Sequence, residues 1–367
     1  MLSRLHLQNF TVFADADFHF SPGLNVIIGT NGTGKSHVLK VGYAVLSRLE
    51  ERLRFHSATE EESETVGNSS ASKKLIEIFR PAPEKTSEFI RKSAQLRDAS
   101  ISYELDSKPE AGTFTIYAHG SFMESSPPWP AIVAARNYGL ARPIFIPAKE
   151  VLTLAWMLPV SDQYKLPADQ TYLDLLRQLR GLPLRQPDPA VAAVMQALMA
   201  ILGGEVEEEK DRYFLVPTGS DARLEMNMVA EGLRKFGTLQ KLLSNGSLTP
   251  RATLFWDEPE SNLNPALLRQ LAEVLAGLAR AGFQIILATH SLFLLKQFHI
   301  LSRATDQPPL PICYFGLSAQ PGEATTVVAK DDFELLPDIV ALDEELEQAD
   351  TLTRVFAQDD DADADRG

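Results

Sequence analysis

The stretch Gly29-Thr30-Asn31-Gly32-Thr33-Gly34-Lys35-Ser36 constrains this chain more than any other. Its spacing, glycine, four residues, then Gly-Lys-Ser, is that of a phosphate-binding P-loop. Gly29, Gly32 and Gly34 let the backbone wrap an anion, so that successive N–H groups, with those of Asn31 and Thr33, point at phosphate oxygens. Lys35 would reach the β- and γ-phosphates, and the Ser36 hydroxyl would hold Mg²⁺. The flanks agree with this reading. Leu24-Asn25-Val26-Ile27-Ile28 is apolar and β-branched, as a buried strand should be. Val38, Val41, Val45 and Leu49 then recur at helical spacing. Strand, glycine-rich loop and helix predict an α/β fold that binds a nucleoside triphosphate, with the helix's positive end toward the anion.

Charge bears on partners only once it is located. The chain of 367 residues carries a net charge of −14. Residues 331–367 hold fourteen Asp or Glu against Arg354 and Arg366, a net of −12, so the body from 1 to 330 is only −2. Global acidity therefore does not exclude nucleic acid as a partner of the body. The run Asp359-Asp360-Asp361-Ala362-Asp363-Ala364-Asp365 reads as a disordered, solvated tail. Cys313 is the single cysteine, which excludes an internal disulfide and a cysteine-rich metal site. No apolar run is long enough to span a bilayer, and no secretory signal opens the chain. A cytoplasmic protein without a membrane partner is the expectation.

Taken in order, Ser3–Phe10 and Ala16–Phe20 predict a strand pair leaning on the P-loop strand. Residues 57–73 are polar, serine-rich and acidic, and read as a mobile insertion. Leu75–Arg80, Ile101–Leu105 and Thr113–Ala118 read as strands, and Ser125–Pro130 as a loop. Ile144-Phe145-Ile146-Pro147-Ala148-Lys149-Glu150 reads as a short strand ending at a polar turn. A mostly helical segment follows from Val151 to Leu202, broken at Pro159, at Pro167 and between Pro183 and Pro189. Val206–Val216 and Ala222–Met228 predict a hairpin around Thr218-Gly219-Ser220-Asp221.

A second constellation completes the chemistry. Ala252–Trp256 is an apolar strand ending in Asp257-Glu258-Pro259, the Walker B pattern. Asp257 would hold Mg²⁺ through water, and Glu258 would act as general base on the attacking water. Asn264 suits a helix N-cap and Pro265 the first helical position. Gln284–Thr289 is another buried strand, ending at His290, where ligands of α/β sheets bind.

Asp-Glu-Pro after an apolar strand, the loop Ser261-Asn262-Leu263-Asn264 and the strand end Thr289-His290-Ser291 resemble the ABC-type ATPase superfamily. The opening Leu5-His6-Leu7-Gln8-Asn9-Phe10 and the P-loop itself resemble its cytosolic RecF, SMC and OLD branch, of the AAA type. The resemblance covers residues 1–55 and 226–300. It implies an ABC-ATPase head with an antiparallel β lobe and an inserted helical segment. The expected layout is a first ATPase lobe with the P-loop at 1–55, an acidic insertion plus antiparallel β segment at 56–145, and a helical insertion and hairpin at 146–225. The second lobe spans 226–330 and the acidic tail 331–367. By the same resemblance His290 senses the γ-phosphate, and Ser261–Asn264 is the D-loop, which brings Asn264 to the nucleotide and contacts the opposite subunit. The signature motif falls in Val229–Phe236, where Glu231 and Gly232 would meet the partner's ATP. Here the chain departs from the family: Ala230 stands where a serine usually contacts the γ-phosphate, Glu231 replaces a small residue, and no Q-loop glutamine is evident.

The implied function is an ATPase (ATP and water to ADP and phosphate) that uses ATP and Mg²⁺. It would close as a homodimer or higher homo-oligomer around two ATP molecules. Nothing after His290 supplies the acidic nuclease centre that OLD proteins add. Nuclease-less members of the branch commonly serve as sensors or motors for a separate effector, many in bacterial antiviral defence, so phage defence or DNA maintenance is expected. Two alternatives stay open: a RecF-like DNA-repair ATPase, which would need a basic face such as Arg136, Arg142 and Lys149, and a nucleotide-binding scaffold with negligible turnover.

Overall fold

Strand β3 (Leu24–Gly29) is buried along its length because it sits between two cores. Val26 and Ile28 face one core and Ile27 the other. The same alternation divides Leu254 and Trp256 from Phe255 in β11 (Thr253–Asp257), and Ile285 and Leu287 from Ile286 and Ala288 in β12 (Gln284–Thr289). A parallel sheet covered on both faces requires near-continuous apolar strands, and these strands supply them. The computed structural model describes residues 1–54, 71–92, 97–106, 110–125, 141–185, 188–336, 348 and 351–354.

The central sheet has six strands in the order β14-β13-β3-β12-β11-β7, where β7 is Ile144–Ile146, β13 Ile312–Ser318 and β14 Thr326–Lys330. All neighbours pair parallel except β14, which runs antiparallel along the edge. On one face lies helix α1 (Lys35–Arg54), backed by a five-stranded antiparallel sheet. That sheet runs β2-β1-β4-β5-β6, with β1 Leu2–Phe10, β2 Phe13–His19, β4 Ala99–Leu105, β5 Glu110–Ile116 and β6 Phe122–Ser125. The expected first lobe and the β segment of 56–145 therefore share one sheet. Buried Gln284 ties it to the centre: its Oε1 accepts from Leu2 N (3.1 Å), and its Nε2 donates to Leu2 O (2.8 Å).

The opposite face carries the helices: α2 (Met157–Ser161), α3 (Gln170–Leu179), α4 (Ala192–Leu202), α5 (Glu231–Ser244), α6 (Pro265–Arg280) and α7 (Leu292–Ser302). A small antiparallel sheet of β8 (Gly204–Glu209), β9 (Arg212–Pro217) and β10 (Leu224–Glu225) packs beside them. Helix α5 is buried nearly all round because α3, α4 and β8 enclose it.

Three sequence expectations change. Residues 71–79 form a helix, where Leu75–Arg80 reads as a strand. Ala71, Lys74, Leu75 and Ile78 are its buried residues, a helical spacing that the local alternation of Leu75-Ile76-Glu77-Ile78 masks. The expected strand Val206–Val216 is itself folded back at Lys210-Asp211, both left-handed (φ 50° and 64°), as a two-residue turn between twisted strands demands. The expected hairpin around Thr218–Asp221 is present with shorter arms: β9 returns antiparallel to β10, Leu224 opposite Leu215. Pro159 lies inside α2 and does not interrupt it, since the first-turn N–H groups of a helix have no intrahelical partner. The polar insertion at 57–73 falls outside the described residues up to 70. Ser126–Pro130 lies outside them too, as does the aspartate-rich run 359–365. Phe333 and Leu336, grouped with the acidic tail on charge, are buried in the helical core.

A buried polar hub joins α3 to the P-loop side. Asp174 accepts from Tyr43 Oη (2.8 Å), Lys74 Nζ (2.9 Å) and Gln170 Nε2 (2.9 Å). Burial alone would raise its carboxyl, but Lys74, Gln170 and Tyr43 together hold it below the ordinary carboxylate range. Asp174→Ala leaves Lys74 buried beside its distant partner Glu51 (3.6 Å). We expect a loss of about 3 kcal/mol in urea unfolding at pH 7. A carboxyl depressed in the folded state stabilises above its unfolded pKa and loses that contribution as pH falls through the folded value. The gap between wild type and variant should therefore narrow below about pH 4.

Candidate functional site

The pairing order β3-β12-β11 brings three strand ends to one edge of the central sheet. Ile28 is opposite Thr289, and Ala288 is opposite Asp257. The P-loop, His290 and the Asp257-Glu258 pair therefore emerge side by side, at the carboxyl ends where open α/β sheets bind ligands.

The P-loop backbone is shaped by its glycines. Gly34 has φ 93°, and a Cβ there would lie 2.6 Å from Val12 Cγ2 and 2.7 Å from Phe13 Cζ. Neither the angle nor the space admits another residue. Gly32 (φ 84°) faces open space. Thr33 is buried and donates its hydroxyl to Thr30 O (2.9 Å), so its contribution toward a ligand is its backbone N–H. Lys35 Nζ donates to Gly29 O (2.7 Å) and Thr30 O (3.0 Å). Burial lowers the Lys35 ammonium, with Glu258, Asp257 and Glu260 opposing that shift. An anion in the loop would supply the counter-charge that burial withholds.

Asp257 fits a cation. Its Oδ1 is buried and has no hydrogen-bond partner, and the nearby Ser36 favours the charged form of its carboxylate. Burial first, then the neighbouring Glu258 charge, push Asp257 above the usual carboxylate range against the pull of Ser36, Lys40 and Lys35. A hydroxyl, a buried carboxylate oxygen and an all-oxygen donor set suit Mg²⁺. Glu258 follows with φ 45°, its N–H donating to Ala288 O (2.9 Å). A left-handed glutamate is a strained backbone, of the kind that clusters at functional sites.

His290 is 54% exposed on its side chain, so its ring is open to the edge. Its N–H donates to Glu260 Oε1 (3.0 Å), which also accepts from Thr289 Oγ1 (2.7 Å). Asn264 caps α6 as expected: its Oδ1 accepts from Leu267 N (3.0 Å), with Pro265 at the first helical position.

The signature candidate opens α5. Ala230 is the N-cap, without a side-chain cap hydrogen bond, and Glu231 is the first helical residue. Contacts of Glu231 and Gly232 run to the Ser261–Asn264 loop of the same chain. Asn262 Nδ2 donates to Glu231 Oε1 (2.9 Å), and a Cβ on Gly232 would lie 2.8 Å from Asn262 O.

Sequence reasoning missed three residues that organise this edge. Glu260 anchors Thr289 and His290. Glu150, after β7, accepts from Thr153 Oγ1 (2.8 Å) and pairs with Arg234 (3.3 Å) of α5. Lys235 is buried on α5 and reaches the turn after Asp257. Of the basic-face candidates, Arg142 pairs with Asp174 (3.6 Å), Lys149 is exposed, and Arg136 is outside the described residues. Among the described residues, no helix is long and apolar enough to cross a membrane.

A family profile described as "AAA domain, putative AbiEii toxin, Type IV TA system" matches residues 24–296, and a second AAA-domain profile matches residues 4–41. The DNA replication and repair protein RecF of Limosilactobacillus reuteri is 42% identical over 45 residues, 12% of each chain. An SMC head bound to the C-terminal winged-helix domain of ScpA superposes with a TM-score of 0.58 at 14% identity, covering 90% of this chain and 97% of the other. An SMC head with an extended coiled coil, bound to the C-terminal domain of ScpA derived from Pyrococcus furiosus, gives a TM-score of 0.52 at 13% identity, covering 96% and 99%. The strand order, the shared sheet edge and a profile match over most of the chain converge: it belongs to this AAA-domain family, an ABC-type ATPase of the RecF/SMC-like branch with the fold of an SMC head.

Proposed function

We propose that the chain binds ATP at the P-loop, hydrolyses it in a head-to-tail homodimer, and serves as sensor or motor for a separate effector in phage defence or DNA maintenance. The observation that carries the hydrolytic part is the buried, unpartnered Asp257 Oδ1 beside the P-loop, with Glu258 next to it at the same sheet edge. The effector role rests on the family description and on fold-level analogy.

In this reading the P-loop N–H groups cradle the phosphates and Lys35 turns from Gly29 O and Thr30 O toward them. Ser36 and Asp257 hold Mg²⁺, which when bound neutralises charge on the phosphate oxygens. Glu258 takes the proton of the attacking water. His290, its backbone fixed by Glu260, stands on the γ-phosphate side. The Val229–Phe236 segment and Ser261–Asn264 serve the partner's nucleotide.

The test of the shared site is sedimentation of Glu258→Gln at micromolar concentration. We expect a monomer alone and a dimer with Mg-ATP. A monomer in both, with the wild type turning over ATP, would refute the shared site. Ala230→Ser should tighten ATP-dependent association about tenfold, by restoring one hydrogen bond to a charged group. An unchanged or weaker association would remove residue 230 from the interface.

A further inference from the structure

Lys235 sits in the first turns of α5, 3% exposed, on a helix whose other buried residues are mostly apolar or small. Its ammonium donates to Glu258 O (3.1 Å), Pro259 O (3.2 Å) and Ser261 Oγ (2.6 Å). All three acceptors belong to the turn that leaves β11. That turn is unusual in its backbone: Glu258 (φ 45°) and Asn262 (φ 62°) both occupy the left-handed region without being glycine. Such conformations persist only where the surroundings over-determine them.

The surroundings here are α5. Lysine offers three rotatable donors, which match three acceptors converging from one side. Ser261 Oγ also lies 2.9 Å from Glu258 O and 3.3 Å from Ala148 O, so the same point touches the loop after β7. At the start of the helix, Gly232 packs on Asn262 O and Glu231 accepts from Asn262 Nδ2. Helix and turn are therefore fastened at two places, one at each end of residues 258–262.

We propose that Lys235 is a positioning residue: it locks the 258–262 turn in the conformation that presents Glu258 to the nucleotide, and so ties the hydrolytic base to the placement of the Glu231–Ser244 helix. This rests on the hydrolytic reading of Glu258. Because the N-terminus of α5 is the part that would meet a second subunit, a shift of α5 on closure moves Glu258 with it. The carboxylates facing the ammonium are Glu260, Glu231 and Glu258, and burial brings the ammonium down to about 8.

Lys235→Met keeps the length of the stem and removes all three donors. In Mg-ATP titrations we expect its dissociation constant to stay within about twofold of wild type, with kcat lower by about ten- to a hundredfold, since the loss acts through an existing base. Added to Glu258→Gln, it should lower the residual rate no further, because residues acting through one group are non-additive. Hydrogen exchange should rise at the Ser261 and Leu263 amides, which donate to Glu258 O (3.2 Å) and Glu260 O (3.1 Å). A wild-type kcat in Lys235→Met, or an equal proportional loss on top of Glu258→Gln, overturns the proposal. If Lys235→Met does not fold, Ser261→Ala asks the same question from the turn: kcat falls several-fold at unchanged affinity, and an unchanged kcat overturns it. Glu258→Gln with wild-type turnover refutes the hydrolytic reading itself; the exchange at Ser261 and Leu263 then decides separately whether Lys235 holds the turn.

Discussion

Glu258→Gln abolishes turnover and keeps ATP. The expected loss in kcat is about 10²–10⁴-fold, the contribution of a positioned general base, with a dissociation constant for Mg-ATP unchanged within about twofold. The fold permits so clean a variant because the structural hydrogen bonds at residue 258 run through its backbone. Its N–H goes to Ala288 O, and its carbonyl accepts from Lys235. The amide isostere therefore leaves the left-handed turn in place and removes one negative charge beside Asp257. Asp257, raised by burial and by that neighbouring charge, should then ionise more readily and hold its cation no less well. Steady-state phosphate release and nucleotide titration on one preparation check both halves. Near-normal release would take Glu258 out of the mechanism.

Lys35→Ala should do the converse and fail at binding. Its ammonium is buried against Gly29 O and Thr30 O, with burial lowering it and Asp257, Glu258 and Glu260 as the nearby carboxylates. Removing it leaves those three acidic groups facing an incoming triphosphate without compensation. A single charge-assisted hydrogen bond is worth about 1.5–3 kcal/mol. The expected loss is therefore on the order of 10²-fold in ATP affinity. Calorimetric titration measures it. Affinity within threefold of wild type would mean that the anion does not sit where Lys35 can reach it.

The parts of the site that the sequence disclosed are those in which one backbone requirement is written in consecutive residues. Gly32 and Gly34 mark left-handed positions, and Asn264-Pro265 marks a capped helix start. The apolar runs before Asp257 and His290 mark strands buried on both faces. What stayed hidden is what depends on two distant segments meeting. Glu260 has meaning only once Thr289 and His290 lie against it, and Lys235 only once α5 lies over the turn after β11. The helix at 71–79 is hidden because Leu75-Ile76-Glu77-Ile78 alternates with a strand's period of two, while its partners, Asp174 of α3 and Glu51 of α1 on Lys74, are distant in sequence. Ala230 shows the limit of motif reasoning in the other direction. Its lack of a hydroxyl is plain in the sequence. That it caps a helix whose next residues are engaged by Asn262 is not.

The pairing partners of β3 also fix when this site can form. Leu24 aligns with Ile285 on one side and Ile312 on the other, so the strand that carries the P-loop finds its neighbours only after most of the chain has been made. Contacts so distant in sequence close late and fold slowly. During synthesis, Leu24–Ile28 is an apolar ribbon with both edges unsatisfied, the kind of segment that draws chaperones or neighbouring chains. If the P-loop binds nucleotide as proposed, its affinity depends on pairings that complete only once β12 and β13 have been made. A ribosome-bound chain in which β12 has not yet emerged carries the whole P-loop sequence without the parallel neighbour that sets it beside Asp257 and His290.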